Sequence, residues 1–559
     1  MVVFADAEQN KRIDFLKKRE EEELAQMLSY KYGVEYVDLS LVAINTDALR
    51  LLTEAEAREA EVAVFGQVGK RLSLAARAPE NPKVKTIVAK LTDRGFAVTI
   101  FMASQESLKR AYDRYADLSY ATETKAGVFE LSDTELEELL GQVKGLSDIG
   151  ALIHDAIQMK RTYRITRILE VILAGGLSTG ASDIHFEPEE AAVRLRYRLD
   201  GVLVDVLTFD HETYRLTLSR LKLLSGLKLN ITDDAQDGRY SIKIKGEEIE
   251  LRTSVLPGNY AETLVLRILN PKAIAVALEE LGLEPTLRAR IEKEILKPTG
   301  MILTTGPTGS GKTTTLYAFM RTINSPGSKI ITIEDPIEYH LKGLVQTQVD
   351  KKNYTFAAGL RSALRQDPDI IMVGEIRDAE VAEVAINAAL TGHLVFSTLH
   401  TNDAAGSFPR LIDLGVSEKV LSSAINVAMA QRLVRKLCIS CRKQRPATPE
   451  EQTLIDRYVA SIVDRSLVPP QTNTVYDPAP QGCEKCHGRG YKGRVGIFEA
   501  IFMDRKIEEV LRSKPSEREI ALVAREQGTP NMQEDGIIKI LRGITSLEEL
   551  QRVVDLTAN

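Results

Sequence analysis

Residues 301–314 read Met-Ile-Leu-Thr-Thr-Gly-Pro-Thr-Gly-Ser-Gly-Lys-Thr-Thr, and the architecture of the chain can be worked out from this segment. Its first five residues form a short apolar run with β-branched threonines, which predicts a buried strand. The glycine-rich part fits G-x-x-x-x-G-K-[ST], in which backbone N–H groups of a loop turn inward around phosphate oxygens. Strand, loop and helix in this order predict a phosphate-binding loop in an α/β domain.

The predicted loop gives each polar residue a role. Lys312 reaches the β- and γ-phosphates of a nucleotide, and the Thr313 hydroxyl ligates Mg²⁺. The positive end of the following helix adds to the attraction. ATP and Mg²⁺ are the implied ligands. The predicted nucleotide-binding residues are Gly306, Pro307, Thr308, Gly309, Ser310, Gly311, Lys312, Thr313 and Thr314.

Two other apolar segments end in carboxylates. Residues 369–375 read Asp-Ile-Ile-Met-Val-Gly-Glu, and this pattern places Glu375 beside Mg²⁺ or its water. Residues 331–334 form a second strand that ends in Glu334. Because parallel strands share one carboxyl-terminal edge, both acids are expected near the phosphate-binding loop. Glu334 is the candidate general base that polarises the attacking water, provided that it lies within hydrogen-bond reach.

Residues 391–403 place two of the seven histidines, His393 and His400, around another apolar strand. This strand is expected beside the one that ends at Glu375. Either histidine could sense the γ-phosphate, and His400 is taken as the catalytic candidate. The alternative is a structural role for both.

All four cysteines fall in two C-x-x-C pairs, Cys438/Cys441 and Cys483/Cys486. In a reducing cytoplasm such pairs indicate a metal site rather than disulfides. Four thiolates form a closed tetrahedral site for Zn²⁺ with a structural role, since no ligand position stays open. The alternative is a set of reduced cysteines without metal.

Composition limits the classes of function. The chain has 559 residues, 44% hydrophobic and 27% charged residues and a net charge of −6, which predicts several globular domains and disfavours nucleic acid as a partner. The amino terminus lacks the apolar core of a secretory signal, and no run of about 18 apolar residues occurs. A cytoplasmic protein that reaches membranes only through partners is expected.

The segments ITIEDPIEYH, MVGEIRD and TGHLVFSTLHTND follow the phosphate-binding loop in the order seen in type II/IV secretion ATPases, and the chain resembles this family over about residues 30–550. Residues 181–188 and 236–239 are similar to the second amino-terminal domain of its GspE and PilB branches. Assembly ATPases commonly carry a tetracysteine element, whereas the retraction ATPase PilT lacks it.

The resemblance implies an α/β multidomain fold in which a RecA-like core with a parallel sheet follows two smaller α/β domains and carries a zinc-binding insertion. The expected divisions are a first GspE/PilB-type domain at 1–120, a helical linker at 121–160 with a capping box at Ser132–Glu135, a second, PAS-like domain at 161–270, the ATPase core at 271–436, the zinc element at 437–500 and a helical region at 501–559.

The same resemblance implies the working assembly. Arg239 and Arg252, with Arg267 as a weaker candidate, match the family's arginine fingers, which domain closure could bring to the phosphates. A homohexamer is implied, which acts on an inner-membrane platform protein of the PilC/GspF type and binds cytoplasmic assembly proteins of the PilM/GspL type. The expected location is therefore cytoplasmic and peripheral to the inner membrane.

Alternatives remain open at this stage. A ring ATPase that translocates DNA and a scaffold that binds nucleotide without hydrolysis are the two rivals. Pilus extension, type II secretion and DNA uptake are not separated by the sequence. Cyclic di-GMP is not predicted as a ligand, because the Arg-Leu-Gly motif of some relatives does not precede YGVEYVDL.

Overall fold

The computed structural model describes residues 20–42, 44–49, 51–68, 70–117, 123–124, 128–130, 139, 141–143, 145–159, 161–244, 247–270, 276–350 and 353–557. The predicted capping box at Ser132–Glu135 lies outside these residues. The chain divides into two compact units, residues 1–132 with 153–170 and residues 133–152 with 171–559. Among the described helices, none combines the length and the apolar character needed to span a membrane.

The first unit contains a four-stranded sheet in the order β1-β4-β3-β2. Strands β1 and β3 run parallel to β4, and β2 is antiparallel to β3. Val64, Leu74 and Leu91 are fully buried in its core. The strands are β1 Glu35–Tyr36, β2 Val62–Val68, β3 Arg71–Ala76 and β4 Ala97–Met102, with the short antiparallel pair β5 Glu123–Thr124 and β6 Val128–Glu130. The helices are Thr46–Leu49, Glu54–Ala60, Pro82–Asp93 and Gln105–Asp113, and helices Leu146–Gln158 and Arg161–Thr179 carry residues of both units.

The second unit begins with six antiparallel strands in the order β10-β11-β12-β7-β8-β9. Alternate residues of β8 are buried, which leaves Arg194, Arg196 and Arg198 on the opposite face. This two-residue period is that of a sheet with one packed face. The strands are β7 Ala181–Pro188, β8 Val193–Leu199, β9 Val202–Phe209, β10 Gln236–Ile244, β11 Glu247–Leu256 and β12 Thr263–Leu269, and helix His211–Leu224 lies between β9 and β10.

The core of the second unit is a seven-stranded sheet in the order β15-β14-β16-β17-β13-β18-β21. All neighbouring pairs are parallel except β18 and β21. The predicted α/β architecture with a largely parallel core is therefore confirmed, with one antiparallel edge strand. The strands are β13 Gly300–Thr305, β14 Ile330–Glu334, β15 Val345–Gln348, β16 Ile370–Val373, β17 Leu394–Leu399, β18 Ile425–Leu437 and β21 Tyr491–Phe502.

Helices cover both faces of this sheet, and every residue of β13, β14, β16 and β17 is buried. Successive side chains of β13 alternate between two apolar clusters, since Met301 and Leu303 belong to one and Ile302 to the other. Continuous apolar runs therefore mark strands that are packed on both sides. The helices of the core are Pro285–Ile295, Lys312–Ile323, Phe356–Leu364, Ala379–Leu390, Ser407–Asp413 and Glu418–Ala424.

The chain leaves the core sheet at the end of β18 and returns to it as β21. Between these strands lie the two-stranded sheet of β19 Lys443–Pro446 and β20 Thr474–Asp477 and the helix Pro449–Ser461. The residues from Tyr491 to Ala500, which the sequence grouped with the zinc element, pair with β18 as part of the core sheet. The helices that follow are Arg505–Leu511, Glu517–Ala524, Met532–Leu541 and Leu547–Val553.

Candidate nucleotide-binding site

The phosphate-binding loop joins β13 to helix Lys312–Ile323. Gly306 and Gly311 have backbone φ angles of 142° and 91°, which residues other than glycine rarely adopt. A Cβ at Gly306 would meet the Gln431 carbonyl oxygen at 2.5 Å, and one at Gly311 would meet Gln431 Nε2 at 2.8 Å. Both glycines are thus required by the backbone conformation and by the close approach of β18.

Lys312 is held by its own loop. Its Nζ donates hydrogen bonds to the carbonyl oxygens of Gly306 at 2.7 Å and Pro307 at 3.2 Å. Burial lowers the pKa of Lys312, the Glu375 carboxylate raises it and Arg432 lowers it further. The ammonium is therefore directed into the loop, at the place where phosphate oxygens could replace the two carbonyls.

Other residues of the loop fit a phosphate. Ser310 is buried, and its Oγ makes no hydrogen bond within the described chain, so a donor is available there without a partner. Pro307, Thr308 and Gly309 are exposed at the tip, and Thr313 and Thr314 are partly buried in the first turn of the helix, whose free N–H groups attract anions.

Glu375 follows β16, the second neighbour of β13 in the sheet, and its carboxylate is shared by two partners. The Arg377 guanidinium forms an ion pair with Oε1, and His400 Nε2 lies 3.3 Å from Oε2. The hydrogen bond to Glu375 raises the pKa of Arg377, whose other nitrogen is 3.7 Å from Asp335. The strand that precedes His400 lies beside the strand that precedes Glu375, as the sequence predicted, and the two side chains are in contact at the carboxyl-terminal edge of the sheet.

The two histidines of the third motif lie at opposite ends of β17. His400 directly follows the strand, whereas His393 directly precedes it and its Nδ1 lies 3.0 Å from the Ala388 carbonyl oxygen. Since the phosphate-binding loop follows the carboxyl end of the parallel strand β13, the structure groups His400 with the loop and separates His393 from it.

Glu334 ends β14 at the same edge, with only 2% of its surface exposed. Its carboxylate accepts hydrogen bonds from the hydroxyl groups of Tyr317 and Thr332, the latter at 2.5 Å, and from Gln346 Nε2 at 3.1 Å. Burial, followed by the charge of Glu334, raises the pKa of Tyr317 far above its usual range. The candidate base is thus occupied by neutral donors.

The three arginines of the preceding domain are direct neighbours across its sheet, since Arg252 pairs with Arg239 on one side and with Arg267 on the other. Arg252 reaches the core: one nitrogen donates to the Ile337 carbonyl oxygen at 2.8 Å, and another is 3.7 Å from Glu338. Both partners lie shortly after Glu334 in the chain.

The other two arginines differ in their partners. Arg267 donates a hydrogen bond to Asp183 Oδ1 at 3.1 Å, on the neighbouring strand β7. Arg239 is exposed, and within the described residues its guanidinium has no ion-pair or hydrogen-bond partner. Among the polar contacts of the described residues, Arg252 is the one of the three that reaches the core, and Arg239 is the one without a partner.

Two residues next to the loop are not part of any motif that the sequence indicated. Gln431 on β18 accepts a hydrogen bond from Thr315 Oγ1 at 2.7 Å and packs against two loop glycines. Arg432, its neighbour, lowers the pKa of Lys312. The available signal was a polar pair inside the apolar run that forms β18.

The four cysteines form one cluster, in which the sulfur atoms all lie within 4.8 Å of one another. Burial raises the pKa of the Cys486 thiol, but the N–H groups of Cys483 and Gly490, at 3.1 and 3.2 Å, help to lower it to about 7. Four thiol ligands with amide donors behind them fit a closed tetrahedral zinc site.

Known proteins resemble the chain over most of its length. The family model described as type II/IV secretion system protein matches residues 158–552, and the MshEN domain model matches residues 32–122. The type II secretion system protein E of Pseudomonas aeruginosa is 41% identical over 79% of this chain and 85% of its own length.

Two further relatives carry the word ATPase in their names. The type IV pilus assembly ATPase PilB of Myxococcus xanthus is 36% identical over 95% of this chain and 91% of its own length. The type II secretion system ATPase E of Vibrio cholerae is 39% identical over 76% of this chain and 87% of its own length. The chain therefore belongs to the type II/IV secretion system protein family and is an ATP-hydrolysing member of it.

Proposed function

We propose that the chain is the motor for assembly of a type IV pilus or a type II secretion pseudopilus. It acts as a homohexamer on an inner-membrane platform protein of the PilC/GspF type, from the cytoplasmic side and together with PilM/GspL-like assembly proteins. The names of the relatives support this role. The observation that carries it is the sheet edge that gathers the phosphate-binding loop, Glu375 and His400, with Arg252 of the preceding domain in contact nearby.

The chain's own residues account for nucleotide binding. Lys312 exchanges two loop carbonyls for phosphate oxygens, and Ser310 supplies a hydroxyl that has no partner among the described residues. Thr313 and Glu375 are the residues that would hold Mg²⁺, which offsets phosphate charge when bound. The Glu375 carboxylate, which contacts Arg377 and His400, would be shared between these partners and the metal.

The catalytic roles follow from the same contacts. Glu334 is the proposed general base, and it acts by exchanging at least one of its three neutral donors for the attacking water. Among the described residues, Arg239 has no ion-pair or hydrogen-bond partner to break, and it is the proposed source of positive charge for the transition state. Arg252 holds the segment after Glu334, so that its contact changes when the domain closes.

The cysteine cluster is proposed to hold one structural Zn²⁺ through Cys438, Cys441, Cys483 and Cys486. The metal would join the end of β18 to the start of β21, and so fix the excursion of the chain outside the core sheet. All four ligand positions are occupied by sulfur, so the metal has no role in the hydrolysis itself.

The test is phosphate release by the full chain with ATP and Mg²⁺, with and without the cytoplasmic domain of the platform protein, measured on fractions separated by size. Turnover in a species of about six chains, stimulated by the platform domain, supports the motor. Stimulation by DNA alone supports a translocase, and binding without turnover supports a scaffold. Either of these last two outcomes rejects the proposal.

A further inference from the structure

The loop at residues 401–406 continues from His400 and is fastened to the strand that leads into the phosphate-binding loop. Thr401 N donates to Thr305 Oγ1 at 2.8 Å, and the two hydroxyl oxygens are 2.7 Å apart. In the middle of the loop, the N–H of buried Ala404 donates to Glu499 Oε1 at 2.6 Å. Glu499 thus holds a loop whose first residue is bonded to the nucleotide-binding strand.

Glu499 lies on β21 and reaches a second segment with its other oxygen. Oε2 accepts the N–H of Met532 at 3.3 Å, the first residue of helix Met532–Leu541. The partly buried carboxyl group lines a cavity of about 360 Å³. One side chain therefore joins the 401–406 loop to a carboxyl-terminal helix.

Ionisable groups face Glu499 from each neighbouring element. Asp403 lies in the loop itself, Arg432 on β18 and Glu517 on helix Glu517–Ala524. The walls of the cavity also carry Arg525, Glu534 and Asp555. Asp403 Oδ1 accepts the N–H of Gly406 at 2.8 Å, so acids bind the loop at two places.

Burial and the neighbouring groups together raise the pKa values of two carboxyl groups to near neutrality. Burial raises the pKa of Glu499 to about 7, and Asp403 adds to the rise, whereas Arg432 and the two amides oppose it. The hydrogen bond to Asp403, followed by burial, raises the pKa of Glu517 to about 7. A change of pH around 7 is therefore expected to change the charge of this cluster.

We propose that Glu499 is a positioning residue for ATP hydrolysis: its carboxylate clamps the 401–406 loop onto helix Met532–Leu541, and loss of its proton tightens the clamp. An ionised carboxylate accepts both amide hydrogen bonds strongly, whereas in the protonated acid one oxygen carries hydrogen and is the poorer acceptor. The longer bond, to Met532, is the one that protonation weakens. The loop then holds Thr401 and His400 less firmly beside the phosphates.

The test compares kcat at saturating ATP and Mg²⁺ from pH 5.5 to 8.5 for the full wild-type chain, Glu499→Gln and Glu509→Gln. The control, Glu509, is an exposed glutamate paired with Arg505. Wild type should rise by up to about tenfold between pH 6 and pH 8, as does the ionised fraction of a group with a pKa of about 7. Glu499→Gln should stay at the low-pH value with its KM unchanged, while the control keeps the wild-type profile.

Thermal unfolding gives a readout that needs neither nucleotide nor partner, so it stands apart from the motor proposal. The folded state keeps the Glu499 proton between its ordinary pKa of 4.5 and about 7, while the unfolded state has lost it. Wild-type stability should therefore fall as pH rises through this window. Glu499→Gln should lack the decrease in stability that comes from ionisation of Glu499. The difference between its Tm and the wild-type Tm should therefore become more positive as the pH approaches 8.

Two results would overturn the proposal. One is a kcat–pH profile of Glu499→Gln that keeps the wild-type inflection. The other is a kcat of Glu499→Gln that is lower than wild type by the same factor at every pH, as a purely structural role would give. If Glu499→Gln does not fold, Glu517→Gln decides, because removing a neighbouring acid should move the inflection to lower pH. An inflection that stays in place rejects the clamp.

Discussion

The nucleotide-binding edge and the cysteine cluster are both built from short motifs, but their side chains are in different states. At the edge, Lys312 is bonded to loop carbonyls and Glu375 to Arg377 and His400, so a ligand competes with internal partners for both groups. In the cluster, four sulfur atoms already face one another. We therefore expect residues of the edge to control turnover and those of the cluster to control stability.

The largest expected effect is at Lys312. Lys312→Ala removes the ammonium that the loop directs toward the phosphates, and kcat/KM should fall by roughly 10³-fold or more. The Tm should change little, because the hydrogen bonds that the lysine side chain forms within the described part of the chain go to its own loop. Phosphate release and thermal unfolding of the same preparation check both parts.

A matched control is Lys297→Ala, which removes a half-exposed lysine paired with Glu294 in the same core. It should leave turnover within about twofold of wild type, since an exposed ion pair contributes little. If a folded Lys312→Ala variant hydrolysed ATP at the wild-type rate, the nucleotide site would not lie at this edge. The edge could then not be the region that controls turnover.

A smaller effect on turnover is expected from the arginines of the preceding domain. Arg239→Ala should lower kcat by roughly 10- to 100-fold with little change in nucleotide affinity, less than a single essential finger, because neighbouring arginines remain. Arg267→Ala should cost less than Arg239→Ala, since Arg267 is tied to Asp183. Single-turnover kinetics with separately measured ATP affinity distinguish the two.

The relative loss of kcat in these two variants tests one hypothesis. It is that the arginine without an ion-pair or hydrogen-bond partner among the described residues is the one that acts on the transition state. A greater loss from Arg267→Ala than from Arg239→Ala would show that the bond to Asp183 breaks during the cycle. Equal losses would show that the row of arginines acts through its total charge.

Sequence patterns predicted which strand ends meet at this edge, because local periodicity determines the strands, whereas the roles of the residues there stay a prediction. Continuous apolar runs mark strands buried on both faces, and parallel strands bring Glu334, Glu375 and His400 to one edge. Sequence spacing could not show that Glu334 is occupied by three neutral donors, because Tyr317 and Gln346 come from other elements.

Contacts between segments that are far apart in the chain could not be predicted either, because local sequence patterns do not specify them. The return of β21 to the core sheet depends on pairing with β18 across the whole cysteine element, which no local pattern encodes. The bond from Arg252 to the Ile337 carbonyl and the bond from Ala404 to Glu499 join residues that are 85 and 95 positions apart, so they are seen only in the folded chain. Resemblance named the arginines, whereas strand register shows that they are neighbours.

The smallest effect on turnover is expected at the cysteines, where the effect on stability should be the clear one. Cys483→Ser should lower the free energy of unfolding by about 4 kcal/mol relative to wild type measured with zinc at a thousandfold excess over its Kd. Removal of zinc from wild type by a chelator should lower it by the same amount. Basal kcat should remain within about threefold of wild type, because within the described residues the hydrogen bonds of the sulfur atoms stay inside the cysteine element. Metal analysis, thermal unfolding and phosphate release on one preparation measure all three quantities.

Ser440→Ala is the matched control, because it changes an exposed residue between two cysteines and leaves all four ligands in place. It should keep one zinc per chain and the wild-type Tm. If zinc removal lowered Tm and abolished turnover together, the cluster would have to reach the nucleotide edge through β18, which carries Gln431 to the loop glycines and ends next to Cys438. That outcome would make β18 the link between the two regions, and their separation into turnover and stability would no longer hold.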